Sequence, residues 1–142
     1  MIDRGLCNCL ALRQATRRVT QLYDQAFAPL GLRATQWALL AAVEREGPIA
    51  INPLAEAMVM DRATLGHNLR PLQARGLLKL VVGQDRRSRD IVLTPAGRVM
   101  VKTGRKAWRQ AQKRFETEIG ASTAADMRRL LQQVAATAFA AG

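Results

Sequence analysis

Residues 60–97 read MDRATLGHNLRPLQARGLLKLVVGQDRRSRDIVLTPAG, and the order of signals along them decides the fold. Asp61 is a good N-cap residue: its carboxylate can accept an orphan backbone N–H and favours the positive end of the helix dipole. Leu65, Leu69 and Leu72 follow at helical spacing, so one face of this helix is buried. That leaves Arg62, Thr64, His67, Asn68 and Arg70 facing outward. Gly76 stands where a helix C-terminus wants a left-handed residue. Beyond it Leu78, Leu80 and Val82 alternate, as do Ile91 and Leu93, which is the period of half-buried strands. Between the two runs, residues 83–90 form a polar hairpin tip carrying Arg86, Arg87 and Arg89. A helix with exposed polar and basic residues, followed at once by a basic hairpin, is the layout of a winged helix-turn-helix. The helix suits a major groove, and the hairpin reaches the flanking backbone or minor groove.

Working outward, Asn52-Pro53 is a cap with proline at the first helical position, opening a short helix through about Met58 that packs as the first half of the helix-turn-helix. Before it, Thr35 to Arg45 is helical, with Trp37, Leu40, Ala41 and Val43 apolar and Gly47-Pro48 as a stop. Leu10 to Phe27 is a long amphipathic helix that presents Leu12, Ala15, Val19, Leu22 and Ala26 on one face. Pro29 and Gly31 end it. On the other side, Thr94-Pro95 caps and opens the longest helix, Ala96 to Ile119, with Arg98, Lys102, Arg105, Arg109 and Lys113 in one broad basic stripe. That stripe reads as a solvated face of which only the N-terminal end lies near DNA, the remainder being able to line a pocket for an anionic ligand. Ser122 or Thr123 caps a last helix from Ala124 to Ala140, whose apolar positions are Met127, Leu130, Leu131 and Val134. Pro71 falls inside the presumed reading helix, where it removes one backbone hydrogen bond and should bend the chain.

The fold expected is therefore mainly α with a small β-hairpin wing: a winged helix-turn-helix over residues 33–95, flanked by helices at 8–30 and 96–141. Those outer helices are surplus to the reader and apolar on one face. A second copy of the chain is the simplest partner for such a face. Two-fold pairing would set two reading helices on one side of double-stranded DNA, predicting a pseudo-palindromic operator with half-site centres ~10 base pairs apart.

Composition bounds the function. The 142 residues are 49% hydrophobic, enough for a globular core, and only 4% aromatic. Lys+Arg number 22 against 11 Asp+Glu, a formal net charge of +11, which implies a polyanionic partner and nucleic acid first. No apolar run approaches the ~20 residues that span a bilayer, and MIDRGLCNCLALRQ lacks the apolar core of a signal peptide; a cytosolic protein without a membrane role is expected. Two cysteines and one histidine cannot make an ordinary zinc site, so no metal or other cofactor is expected. Enzyme chemistry is disfavoured: no phosphate-cradling Gly-rich loop, no metal spacing and no nucleophile–base pair can be identified.

From about Cys9 to Gly97 the chain resembles the MarR-type (multiple antibiotic resistance regulator) bacterial transcription factors. The resemblance rests on Leu54-Ala55, Asp61-Arg62-Ala63-Thr64-Leu65, Leu72 through Gly76-Leu77, Asp85-Arg86-Arg87, and Leu93-Thr94-Pro95-Ala96-Gly97, in that order and spacing. It implies a homodimer with the first and last helices in its interface, and repression, occasionally activation, relieved by a small ligand or an oxidant. By the same resemblance Arg87 is the wing arginine that enters the minor groove, Asp85 the acid that braces the wing, and Thr64, His67 and Asn68 meet bases and phosphates. The chain departs from the pattern at Gly66-His67, where Thr-Arg is common, and so lacks an arginine there for a bidentate guanine contact. Cys9 resembles the sensing cysteine of the family's organic-hydroperoxide branch, and Tyr23 one of its supporting tyrosines; the others are replaced by Arg13 and Ala34.

Three readings follow. The leading one is a sequence-specific repressor released by a small molecule, an aromatic acid fitting a pocket of Trp37, Arg13 and Arg17, because an aromatic wall and a cation suit a planar carboxylate. The second is an oxidant-sensing repressor working through Cys9, with Cys7 beside it. The third, a non-specific architectural DNA-binding protein, would share the charge but show no preference for palindromes and no effector.

Overall fold

In the computed structural model, which describes residues 5–139, the segment that begins at Asp61 is helix α4, Arg62–Ala74. Asp61 caps it, its Oδ1 accepting the Thr64 N–H at 2.7 Å. Leu65, Leu69 and Leu72 are buried, Arg75 closes the helix, and Gly76 turns the chain at φ +71°. Pro71 lies on the exposed side of the final turn, and the helix continues through it to Ala74.

Around this helix the order is α1 Asn8–Phe27, a 3-10 turn Ala28–Leu30, α2 Ala34–Glu46, β1 Ile49–Ala50, α3 Ile51–Ala57, α4, β2 Leu78–Val82, β3 Arg89–Leu93, α5 Pro95–Ile119 and α6 Ala121–Ala136. The chain is mainly α with a three-stranded antiparallel sheet in the order β1-β3-β2. β2 and β3 are the expected hairpin, with Leu78 opposite Leu93, Leu80 opposite Ile91 and Val82 opposite Arg89. β1 adds a strand that the sequence reading lacks, pairing Ile49 with Ile91 and Ala50 with Asp90. Two residues are too short to display a period of two.

Four expectations are corrected. α3 starts at Ile51 behind Ala50, so Asn52 is not its cap; pairing of β1 with β3 delivers the chain straight into the helix, and Pro53 still falls in the first turn, where no N–H is needed. α6 starts at Ala121, directly behind Gly120, whose carbonyl accepts the Ala124 N–H at 2.9 Å; Ser122 and Thr123 lie inside the first turn. α6 ends at Ala136, and residues 140 and 141 lie outside the described residues. In β2 only Leu78 is buried: Leu80 and Val82 are 46% and 61% exposed because the hairpin runs out beyond the core.

α2 is the central helix. Trp37, Leu39, Leu40, Ala42 and Val43 are all buried, a wider apolar surface than one helical stripe, because α1, α4, α5 and β3 pack around it. Phe27, Leu54, Leu65, Leu72, Leu78, Ile91 and Val101 are the other most deeply buried side chains of the core. The outer helices are less covered. Leu12 on α1 and Leu130, Leu131 and Val134 on α6 are exposed, and Leu12, Ala15, Val19, Met127 and Leu131 line an apolar groove of about 400 Å³.

Candidate nucleic-acid interface

The exposed side of α4 carries Arg62, Thr64, His67 and Arg70, with Asn68 half-buried. The cap organises its first turn: the Asp61 carboxylate takes both the Thr64 N–H and, through Oδ2, the Thr64 hydroxyl at 3.1 Å. Those hydrogen bonds hold the Asp61 carboxyl below its ordinary value. One turn on, Asn68 Nδ2 donates to the Thr64 carbonyl at 2.8 Å, which orients the amide. Arg62, His67 and Arg70 make no side-chain hydrogen bond or ion pair with another described residue, leaving their donors for an outside partner.

The hairpin tip is built around Asp85. Its Oδ1 accepts the Arg87 N–H at 3.0 Å, and its backbone carbonyl accepts both the N–H and the hydroxyl of Ser88, each at 2.9 Å. Asp85 thus fixes backbone; it does not pair with a guanidinium. Gly83 closes the loop by donating to the Ser88 carbonyl at 3.2 Å. Arg89 folds back on the tip, its Nη1 donating to the Arg86 and Ser88 carbonyls at 3.2 Å each. The Arg86 and Arg87 guanidinium groups project with no protein partner among the described residues.

The residues expected to form an effector pocket do not meet. Trp37 is buried and lines a cleft of about 780 Å³ between α2 and α5, with Ala38, Ala41, Met58, Trp108, Arg105 and Arg109. Arg13 and Arg17 lie exposed on α1 and line no part of it. Its cations are instead Arg105 and Arg109 from the basic stripe of α5 and Arg45 from α2, which is ion-paired with Glu46. Arg105 is ion-paired with Glu44, while Arg109 has no partner among the described residues. Trp37 stacks on Phe27 at 5.2 Å and on Trp108 at 6.3 Å between ring centroids. The α5 stripe was visible in the sequence; its approach to Trp37 needs the packing of α2 against α5, which no local pattern encodes.

Cys7 is the N-cap of α1, its Sγ accepting the Leu10 N–H at 3.4 Å, and Cys9 is exposed; both thiols are free. Tyr23 is occupied elsewhere, donating to Gln112 Oε1 on α5, and lies about 21 Å along α1 from Cys9 at 1.5 Å per residue. Burial raises the Tyr23 pKa, and Glu116 adds to the rise while Arg128 opposes it. Among the described residues no group of three or more His, Cys, Asp or Glu could hold a metal ion, and no helix is long and apolar enough to cross a membrane.

A capped, partner-seeking helix beside an arginine-tipped hairpin defines a winged helix-turn-helix nucleic-acid binder. The chain belongs to the MarR family of transcriptional regulators, whose family model matches residues 30–88. It is 31% identical to the M. tuberculosis transcriptional regulator MOSR, solved in complex with DNA, across 90% of this chain and 96% of that one, with a TM-score of 0.78. A probable transcriptional regulator from Pseudomonas aeruginosa is 28% identical, with 93% and 99% of the two chains covered and a TM-score of 0.85. The uncharacterized HTH-type regulator YwoH of Bacillus subtilis (strain 168) is 23% identical over 83 residues, and the match spans 61% of that curated relative's length.

Proposed function

We propose that this chain is a homodimeric repressor that reads a pseudo-palindromic operator and is released by a planar aromatic acid. The observation that carries the reading is the combination on one chain of net charge +11 with Arg62, His67 and Arg70 on α4 and Arg86 and Arg87 at the wing tip, whose side chains have no partner among the described residues. Lysine and arginine contacts release counterions and supply most of the affinity; Thr64, His67 and Asn68 supply choice of sequence. The apolar groove between α1 and α6, with exposed Leu130 and Val134 nearby in sequence, supports a second copy of this chain as the occupant of the outer face.

The cation offered to an effector beside Trp37 is Arg109 rather than Arg13 or Arg17. The Trp37–Trp108 stack supplies an aromatic wall, and of the cleft's three arginines Arg109 is the one with no carboxylate partner among the described residues. Fluorescence anisotropy on DNA upstream of the chain's own gene, against scrambled DNA across a salt series, tests the DNA reading. Tight binding to the first and weak binding to the second is expected. Equal binding to both would favour an architectural protein. Adding benzoate to the specific complex tests the effector: release by benzoate, lost in Arg109→Ala and kept in Arg17→Ala, is expected. An oxidant-sensing repressor is the second reading, supported by the exposed Cys9 thiol, and hydroperoxide in the same assay tests it.

A further inference from the structure

The C-terminal end of α4 is joined to both outer helices through three consecutive residues. Arg75 reaches across to the end of α1, its Nη1 donating to the Gly31 carbonyl at 2.8 Å and its Nη2 to the Leu30 carbonyl at 3.3 Å. These carbonyls close the 3-10 turn that follows α1, where unsatisfied acceptors favour a cation, and the planar guanidinium fork matches two of them at once. Next in the chain, the Gly76 carbonyl accepts the hydroxyl of Thr94, the N-cap of α5, at 2.6 Å. The Leu77 carbonyl accepts the Thr94 N–H at 3.2 Å and sits so close to Gly97 that a Cβ there would overlap it. The other end of α4, by contrast, is capped among the described residues by its own Asp61.

We propose that Arg75 is a positioning residue: it fixes the tilt of α4 against α1 and thereby sets the half-site spacing that the dimer accepts. The inference rests on the DNA-reading role and pairing proposed above. With both terminal guanidinium nitrogens bound to protein carbonyls, Arg75 is not a free phosphate contact like Arg62 or Arg87. The Thr94 and Gly97 joints run through backbone beside the core, whereas Arg75 is an exposed side chain and can be removed without opening that core. If α1 holds the two protomers together, loss of the Arg75 link frees the reading helices relative to one another. One base pair of extra spacing moves a half-site by ~3.4 Å and turns it by roughly a tenth of a helical turn, so a small change of tilt is read as a change of spacing.

The test uses the full-length protein and a half-site selected by the wild type from random DNA. Duplexes carrying two such half-sites, their separation changed one base pair at a time, are titrated with wild type, Arg75→Ala and Arg75→Lys, and thermal unfolding is followed in parallel. The wild type is expected to favour one spacing by about tenfold over its neighbours, and both variants to flatten this to about twofold while keeping half-site sequence preference and thermal midpoint. Lysine keeps the charge but not the fork. A wild-type spacing profile in Arg75→Ala would overturn the proposal and leave the DNA reading standing. So would uniform weakening in Arg75→Ala that Arg75→Lys restores, since that is the signature of a phosphate contact. No preference of the wild type for selected over scrambled DNA would overturn the DNA reading and this inference together.

Discussion

The indole of Trp37 packs against the bare backbone of Gly104 and donates its Nε1–H to the Val101 carbonyl at 3.2 Å. A Cβ on Gly104 would overlap Trp37 Nε1, so the glycine is what lets α2 and α5 meet through this ring. In Gly104→Ala the indole must shift away from Val101, an overpacking cost of about 1–3 kcal/mol, offset by about 1 kcal/mol of helix propensity. A net loss of about 1 kcal/mol is expected, as a lower urea midpoint with altered tryptophan emission. An unchanged midpoint and emission would mean that the ring has room the geometry denies it.

Val59 stands at φ +52°, the only non-glycine residue with positive φ among those described. The Met60 N–H donates to the Ala55 carbonyl at 2.9 Å, so Val59 occupies the left-handed position of a Schellman motif ending α3, where glycine is usual. A left-handed β-branched residue costs about 1–2 kcal/mol, and Val59 is 72% exposed, so little packing repays it. Val59→Gly should therefore raise stability by about 0.5–1 kcal/mol after the extra entropy of glycine in the unfolded chain. A fall in thermal midpoint would show that the Val59 side chain holds the turn together.

What was legible in the sequence was whatever is local. Asp61, the 65-69-72 leucines and Gly76 carry the cap, buried face and stop of α4 within 16 residues. Leu80 and Val82 misled, because alternation gives the period of a strand and says nothing of how far the strand outruns the core. Ile49–Ala50 was too short to signal, and its partner lies some 40 residues on, beyond any periodicity window. The cleft is legible only in part: Trp37 and the basic stripe of α5 can each be read from the sequence, but what brings Trp37 and Arg109 to one cleft is the packing of α2 on α5 that Gly104 permits.

The wing and the reading helix should separate in a salt titration. Arg87 projects from a tip fixed by Asp85, and in the proposed role of a phosphate or minor-groove contact it would carry charge rather than sequence choice. Arg87→Ala is expected to weaken binding to specific and scrambled DNA alike and to lower the slope of log affinity against log salt by about 1. Asn68→Ala should leave the slope unchanged and lower discrimination by about 1–3 kcal/mol at one position of the site. The reverse pattern would assign base reading to the wing.

The Asp61 cap makes a prediction whose sign can be worked out. Its carboxyl is held below its ordinary value of 3.8, first by the Thr64 N–H and then by the Thr64 hydroxyl, so the folded state favours the ionised form. A carboxyl depressed on folding adds stability in full above its unfolded value, and the contribution is lost as pH falls through the folded one. Asp61→Asn keeps a capping oxygen but has no charge to titrate. The wild type should thus unfold at a higher temperature than Asp61→Asn at neutral pH, with the gap constant down to about pH 5 and closing below 3.8. Comparing the two proteins at each pH cancels every other carboxylate. A gap that stays constant through the acid range would mean that the ionised form of Asp61 gains nothing from the helix it caps.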